Sequence, residues 1–362
     1  MTNLKERYSA TIVGVGIGDT LGMPVETWPR ARIQRHYGRI NKPVKQKVLY
    51  DSFGKEIKGD EFGRIKYWAR NLDAGSYTDD TICTIPLCES IIENKEINIE
   101  DIAKRELHEF EIRIRPDGRV TGGFGGTTKM AYRNLQKGIS ALESGAFGGP
   151  GNAPPMKISP VGLFIDASGK YEEGLKNAEL IGKITHRDPR SIAAGVVQAH
   201  AIYLLLNNVS RKEFIDLVID VCKKYERPIT GQFALSERGS LLTKLEWICE
   251  NKDSSPNDAF CILGNRSLVF ESYPFTLFMF QKYWDSPIEG LLETVNYGGD
   301  CDTTGAMYGA LCGAKNGMIF PNEWTSVLKD CEKLKSLGEG IYELKEKFKM
   351  GDKNVQERIG CC

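Results

Sequence analysis

The sequence lacks a long hydrophobic run, a CxxC pair and an excess of charge of either sign, and each absence excludes a class of protein. No apolar stretch approaches the roughly 20 residues that a transmembrane helix needs, and residues 1–14 lack the apolar core of a signal peptide. The 48 basic residues balance 48 acidic ones, which gives no indication of a nucleic acid or anionic membrane partner. The ten cysteines never form a CxxC pair, which disfavours a zinc knuckle or a thioredoxin-like motif. We therefore expect a reduced, cytoplasmic protein.

Helical periodicity predominates along the chain. In residues 210–226, Ser210 and Glu213 have capping-box spacing, and the apolar residues that follow lie on one face. Residues 191–206 are apolar nearly all round, which predicts a central helix. Strand signals are sparse, and the best of them falls in residues 41–72.

The fold class that follows is all-α, and the chain shows no obvious linker that would divide it. We predict one helical domain over residues 1–350, with an irregular or β-hairpin insertion at about residues 41–72. Residues 351–362 are predicted to form a C-terminal tail.

Two acidic turns, far apart in the chain, carry the strongest chemical signal. They are TDDT, with Thr78, Asp79 and Asp80, and GGDCDTTG, with Asp300, Asp302 and Thr303. Each precedes a predicted helix, whose N-terminus favours negative charge. Several carboxylates in one pocket would nevertheless repel each other without a cation. Oxygen ligands with no histidine or cysteine between them suit Mg²⁺ or Mn²⁺, so the two turns predict a shared site for such ions.

A structural explanation of the same residues stays open. Aspartate and threonine are common N-caps, so either turn could serve only to cap its helix. His186, which follows an apolar helix, could likewise be a cap. The HRD tripeptide that contains it does not indicate a kinase, because no glycine loop, VAIK-like lysine or DFG accompanies it.

The glycine-rich segment GVGIGDTLGMPVE, residues 14–26, ends in a carboxylate. Its GVG start superficially matches a dinucleotide-binding fingerprint, but neither a βαβ pattern nor a ribose-binding acid follows in the right place. Close helix packing explains the glycines better. Where the helix meets Pro24, the chain would carry Glu26 to the edge of a pocket.

Together these motifs resemble the ADP-ribosylglycohydrolase family, which includes dinitrogenase-reductase-activating and ADP-ribosylhydrolase-like proteins. The matching blocks occur in family order from about Gly14 to Pro321: GIGDTLGMPVE, SYTDDTICT, GGFGGTT, GNAPPMKISPVGL, ITHRDP, FESYPFTLFMF and GGDCDTTGAMYGALCGA. The resemblance implies an orthogonal all-α domain with a binuclear Mg²⁺ or Mn²⁺ centre. It also implies hydrolysis of the glycosidic bond between ADP-ribose and a modified side chain or small acceptor.

The resemblance further implies a role for particular residues. The implied metal ligands are Thr78, Asp79, Asp80, Asp300, Asp302 and Thr303, and the implied catalytic residues are Glu26, Asp79 and Asp302. The implied ADP-ribose contacts are Gly122, Gly123 and Gly125 in one loop, Gly148, Gly149, Gly151, Asn152 and Met156 in a second, and His186. Glu26 would move a proton between water and the leaving group.

The chain departs from the family pattern at two places that bear on the acceptor. Gly123 stands where relatives that act on arginine often carry aspartate, and Lys157 stands where arginine is common. The MPVE and THRDP blocks look closest to the arginine-directed branch, so ADP-ribosyl-arginine is the first prediction. A serine-linked or small-molecule conjugate is the alternative.

Two other functions are compatible with parts of this pattern. An all-α isoprenoid synthase also uses two acidic Mg²⁺ motifs, but its DDxxD pattern fails here because Cys83 occupies the position of the last aspartate. A non-catalytic ADP-ribose-binding protein of the same fold is the rival from another class, and the apparent ligands and Glu26 argue against it.

Overall fold

The computed structural model describes residues 3–47, 72–228 and 239–359, and the regular structure in these ranges is helical. Its first helices are α1 (Leu4–Gly22), a 3-10 turn (Met23–Val25), α2 (Arg30–Tyr37), α3 (Asp79–Asn94), α4 (Ile99–Glu111), α5 (Gly126–Gln136), α6 (Ala153–Lys157), α7 (Ser159–Ser168) and α8 (Tyr171–Thr185). They are followed by α9 (Pro189–Leu206), α10 (Arg211–Tyr225), α11 (Leu241–Glu250), α12 (Pro256–Leu263), α13 (Val269–Lys282), α14 (Pro287–Asn296), α15 (Cys301–Asn316), α16 (Asn322–Thr325) and α17 (Cys331–Ile359). Strand-like pairing in these ranges is limited to isolated bridges. The predicted all-α fold is confirmed.

The helices α1 and α15 pack antiparallel with their backbones in contact, and glycine makes this possible. A Cβ on Gly14 would lie 2.1 Å from the carbonyl oxygen of Gly309, and one on Gly18 would lie 1.8 Å from that of Gly305. Gly22 lies as close to the first residues of α15. The glycines of the N-terminal segment therefore serve close packing, as predicted, and the contact brings the end of α1 to the start of α15.

The central position belongs to α9. Its residues are buried almost all round, and it packs against α6, α7, α8, α10 and α15. The side chain of Asp188 caps its start by accepting a hydrogen bond from the Arg190 N–H. The predicted capping residue of α10 is also confirmed, since the Ser210 hydroxyl accepts a hydrogen bond from the Glu213 N–H at 3.3 Å.

Two predictions about the chain's organisation are not decided by the fold. Residues 48–71 of the predicted insertion lie outside the described residues, and residues 41–47 are irregular. The backbone of α17 continues past Met350 to Ile359, so a division into domain and tail at residue 350 stays a prediction. Among the helices described, none combines the length and apolar character needed to cross a membrane.

Candidate active site

The first acidic turn is held in place by Asp19, a buried residue of α1. Its carboxylate accepts hydrogen bonds from the backbone N–H groups of Thr78 and Thr81 at 3.0 and 3.1 Å. The hydroxyls of the same two threonines also donate to it, at 2.8 and 2.6 Å. The N-terminus of α3 is therefore capped by a residue of another helix, while the Thr78 side chain makes no capping hydrogen bond.

Helix capping does not explain the second turn either. Asp300 occupies the N-cap position of α15, yet its side chain makes no capping hydrogen bond. The Asp302 carboxylate accepts a hydrogen bond from the N–H of Thr303 at 2.9 Å. The side chains of Thr78 and Asp300 therefore do not act as N-caps, whereas Asp302 does accept an N–H of the first turn of α15.

The pKa shifts show that the acids of the two turns lie close enough to interact. Burial raises the pKa of the Asp19 carboxyl to about 6. The pKa of Asp80 is raised well above its usual range, first by burial and then by the negative charges of Asp19, Asp302, Asp79 and Asp300. One oxygen of Asp80, Oδ1, is buried without a hydrogen-bond partner. The acids of α3 and α15 therefore share one desolvated, mutually repelling cluster.

The backbone of the second turn depends on two glycines and an asparagine. Gly298 and Gly299 have φ values of 76° and 72°, in the left-handed region that favours glycine. A Cβ on Gly299 would also lie 2.0 Å from the carbonyl oxygen of Asn265. That oxygen accepts a hydrogen bond from the Asp300 N–H at 2.8 Å, and the Asn265 side chain donates to the carbonyl of Gly298 at 2.6 Å.

Glu26 reaches the same cluster from the end of the 3-10 turn. The N–H of Thr27 donates to the carbonyl of Gly299 at 2.6 Å, which fixes this corner against the second acidic turn. Carboxylate oxygens of Glu26, Asp300 and Asp302 all lie within 4.8 Å of one another. The two aspartates are buried and Glu26 is half-buried, so the glutamate lies on the solvent side of the cluster.

Asn152 connects the second glycine-rich loop to the acids. Its side-chain amide donates to a carboxylate oxygen of Asp300 at 2.7 Å and to the Ser272 hydroxyl at 3.0 Å. The sequence resemblance implied a contact with ADP-ribose, and in the structure Asn152 orients a predicted metal ligand.

His186 lies against the same loop. Its ring is buried, Nδ1 lies 3.0 Å from the Thr185 hydroxyl, and a Cβ on Gly151 would lie 2.6 Å from its Nε2. Burial, with a smaller contribution from the charge of Lys157, lowers the pKa of His186 to about 3. The ring is therefore neutral at neutral pH. The backbone of His186 also caps α8, so the capping explanation accounts for its N–H but not for its ring.

The two glycine-rich loops meet at Gly148, where an added Cβ would lie 2.4 Å from the Thr127 hydroxyl in the first turn of α5. Gly122 and Gly123 have φ values of 94° and 98°, and Gly149 has 137°. These conformations strain residues with a Cβ. These three positions therefore favour glycine, and the two loops touch at Gly148 and Thr127.

Two further residues of the predicted ADP-ribose site differ in exposure, because Met156 is buried and Gly125 is exposed. The Met156 side chain is part of the hydrophobic core, and its N–H donates to the carbonyl of Asn152 at 3.3 Å. A contact between that side chain and a ligand has no support in this structure. Gly125 directly precedes α5, and a Cβ added to it would have no neighbour within 4 Å.

Sequence reasoning missed Asp19, Asn265 and Ser272. The signal for Asp19 was present, because it is the one carboxylate among the small and apolar residues 8–25. A buried acid in such a helix must find donors, and Asp19 finds them in Thr78 and Thr81. Ser272 lies in the FESYPFTLFMF block, which carries the resemblance without pointing to that residue, and Asn265 lies in a segment without a comparable signal.

Comparison with known proteins agrees with the geometry. The profile of the ADP-ribosylglycohydrolase family matches residues 1–350. The chain belongs to this family. An ADP-ribosylhydrolase ARH3 from Xenopus tropicalis is 25% identical over 93% of this chain and 95% of its own. An uncharacterized protein from Archaeoglobus fulgidus is 28% identical over 94% of this chain and 97% of its own.

A solved structure supports the fold. The chain named ADP-ribosylglycohydrolase-related protein complex superposes with a TM-score of 0.68 at 21% identity, covering 95% of this chain and all of that one. Membership of the ADP-ribosylglycohydrolase family supports hydrolysis of ADP-ribose conjugates as the activity.

The acids fit divalent cations. The ligand set is oxygen only, as Mg²⁺ and Mn²⁺ prefer, and the oxygens of Glu26, Asp300 and Asp302 are close enough to share an ion. The buried Oδ1 of Asp80 lacks a hydrogen-bond partner, and coordination to a cation would compensate for its burial. The acidic cluster of this protein could therefore bind a metal ion.

Proposed function

We propose that this protein is a Mg²⁺- or Mn²⁺-dependent hydrolase that cleaves the glycosidic bond between ADP-ribose and a modified side chain, with ADP-ribosyl-arginine as the first candidate. The observation that carries the proposal is the convergence of Glu26, Asp300 and Asp302 within 4.8 Å in a chain of the ADP-ribosylglycohydrolase family.

Two cations would be held by Thr78, Asp79, Asp80, Asp300, Asp302 and Thr303. When bound, they supply Lewis acidity toward water and toward hydroxyl groups of the substrate. Asp19 and Asn152 then act behind these ligands. Asp19 fixes the turn of Thr78 by hydrogen bonds to its N–H and hydroxyl, and Asn152 orients the Asp300 carboxylate.

Glu26 is the proposed general acid–base. It is half-buried beside Asp300 and Asp302 on the solvent side of the cluster, where it can face both the attacking water and the leaving group. In the proposed reaction it takes a proton from the attacking water and passes it to the departing acceptor. The glycosidic bond breaks, the water oxygen joins the anomeric carbon, and free ADP-ribose and unmodified acceptor are released.

The glycine-rich loops are the proposed site for the ADP-ribose moiety. Gly122, Gly123 and Gly149 have positive φ, so their backbone can approach a ligand without Cβ interference. N–H groups in such loops suit the oxygens of a diphosphate. His186, neutral because its pKa is lowered, could accept or donate a hydrogen bond at the adjoining Gly151.

A serine-linked or small-molecule conjugate is the second candidate. Gly123 has a φ of 98°, a conformation that disfavours the aspartate found there in arginine-directed relatives. The arginine-linked candidate depends on the MPVE and THRDP blocks of the sequence. The serine-linked or small-molecule candidate depends on the backbone geometry at Gly123. Both use the same acids, so they differ only in the acceptor.

The proposal is tested by incubating the enzyme with defined arginine- and serine-linked ADP-ribosyl peptides and measuring released ADP-ribose by mass spectrometry. With Mg²⁺ we expect release from one peptide, and chelation or Asp302→Ala should reduce the rate by roughly a hundredfold or more. The matched control is Asp258→Asn, which changes an exposed acid at the start of α12 and should leave the rate unchanged. Full turnover by Asp302→Ala in chelator would refute the mechanism, while ADP-ribose binding without release would favour a non-catalytic binder.

A further inference from the structure

A buried ion pair lies behind the candidate site. The Lys157 ammonium is 2.6 and 2.7 Å from the two carboxylate oxygens of Glu106, and the side chains are 1% and 0% exposed. The Tyr132 hydroxyl donates to the same carboxylate at 3.0 Å and lies 3.5 Å from the Cys83 sulfur. Lys157, Glu106, Tyr132 and Cys83 thus form one connected set of polar side chains inside the core, called the polar chain below.

This polar chain joins three helices that begin at the site, α3, α5 and α6. Cys83 is in the second turn of α3, which starts at Asp79, and Tyr132 is on α5, which starts directly after Gly125. Lys157 ends α6, which starts directly after Asn152. Glu106 on α4 bonds both Tyr132 and Lys157, and Tyr132 in turn lies beside Cys83. The polar chain therefore connects the first acidic turn and both glycine-rich loops.

A stability argument alone does not explain such a pair. Desolvating two charges costs about as much as their attraction returns, and an apolar pair of similar volume is often as stable. What an ion pair adds is a fixed geometry, because two oxygens and one ammonium satisfy each other at one relative position of their helices. Lys157 also lies close enough to His186 for its charge to contribute to the lowered pKa of that ring.

We propose that Lys157 and Glu106 are positioning residues, which hold the starts of α3, α5 and α6 in register for cation and ADP-ribose binding. The inference rests on the proposed function for the identity of the ligands. Displacing α6 moves Asn152, whose amide holds Asp300 at 2.7 Å. Small displacements of this kind have large effects on preorganised sites.

The test measures binding, so that it does not depend on turnover. Isothermal titration gives the Kd of Mg²⁺ and of free ADP-ribose for wild type, Lys157→Met, Lys157→Arg and the apolar double variant Lys157→Met/Glu106→Leu. We expect Lys157→Met to weaken ADP-ribose binding roughly tenfold or more, and Lys157→Arg to stay within about threefold because it keeps the charge. The double variant should regain the melting temperature but not the affinity, a split that a purely structural role would not produce.

The matched control is Lys345→Met, which breaks another largely buried pair, Asp166–Lys345, with side chains 7% and 14% exposed. That pair joins α7 to α17, and its loss should leave both Kd values within about twofold. The proposal is overturned if Lys157→Met keeps wild-type affinities, if Lys345→Met loses as much, if the double variant regains affinity, or if wild type binds neither ligand. Wild type that binds both ligands but releases no ADP-ribose would defeat the proposed function and leave this inference standing.

Discussion

At the scale of single residues, burial decides the behaviour of the ionisable groups. Asp19 and Asp80 are acids in a desolvated cluster, so their pKa values rise. His186 and His200 are bases in apolar surroundings, so their pKa values fall, to about 3 and about 4. Each shift disfavours the charged form. Asp80 and His186 are residues that the sequence singles out, whereas Asp19 and His200 are not. Only the fold shows that all four lose contact with water.

His200 allows a clean test of this effect, because it lies in α9 away from the acids. Its Nδ1 is 2.9 Å from the Tyr171 hydroxyl. The folded pKa of about 4 is below the usual 6.5, so the unfolded chain binds a proton first and stability falls as pH falls from about 6.5 toward 4. Between pH 7 and 5 this histidine should cost roughly 1–2 kcal/mol.

The measurement is urea unfolding of wild type and His200→Gln at pH 7 and pH 5. The variant should lose less stability over that interval than wild type does, whatever its absolute stability at pH 7. Carboxylates contribute equally to both proteins and cancel in the comparison. Equal losses would show that His200 is not held neutral.

At the scale of secondary-structure elements, the pair α1–α15 positions the site. Its glycines bring Glu26 and Asp302 within reach of each other, because the end of one helix meets the start of the other. Helical glycine is intrinsically unfavourable by roughly 0.5–1 kcal/mol relative to alanine. That cost is offset only where a Cβ could not fit.

Replacing Gly18 by alanine tests this explanation. The new Cβ would lie 1.8 Å from the Gly305 carbonyl oxygen, so α1 and α15 must separate. We expect a loss of about 3 kcal/mol or more in the free energy of unfolding, with weaker Mg²⁺ binding, measured by urea unfolding and calorimetry.

Gly182→Ala is the matched control at a buried position of α8. Its nearest neighbour would be Ile192 at 3.4 Å, an ordinary contact, so the gain in helix propensity should leave stability unchanged or raise it by up to about 1 kcal/mol. If the two variants behaved alike, close backbone packing would not be the reason for Gly18.

At the scale of the whole molecule, the proposed cations link distant parts of the chain. Their proposed ligands lie at the starts of α3 and α15, and the proposed acid–base Glu26 lies at the corner after α1, beside Asp300 and Asp302. Cations that bind only the folded chain stabilise it by mass action, by about 2.7 kcal/mol at a hundredfold excess over Kd. They should also relieve the repulsion among the acids around Asp80.

We therefore expect saturating Mg²⁺ to raise the melting temperature of wild type by a few degrees. Asp302→Ala should lose this response, whereas Asp258→Asn should keep it. Differential scanning calorimetry with Mg²⁺ and with chelator measures both. A wild-type transition that is indifferent to Mg²⁺ and Mn²⁺ would contradict the metal assignment.

Periodicity, turn composition and motif order are local properties, so the residues in chain order suffice to predict the helical class, the two acidic turns and the family. They also place Glu26 after the glycine-rich helix. The side chains that support the site follow only from the packing of the helices: Asp19 holds Thr78, Asn152 holds Asp300, and Lys157 pairs with Glu106. These contacts join residues far apart in the chain, and their partners depend on how the helices pack, a global result that no local pattern encodes.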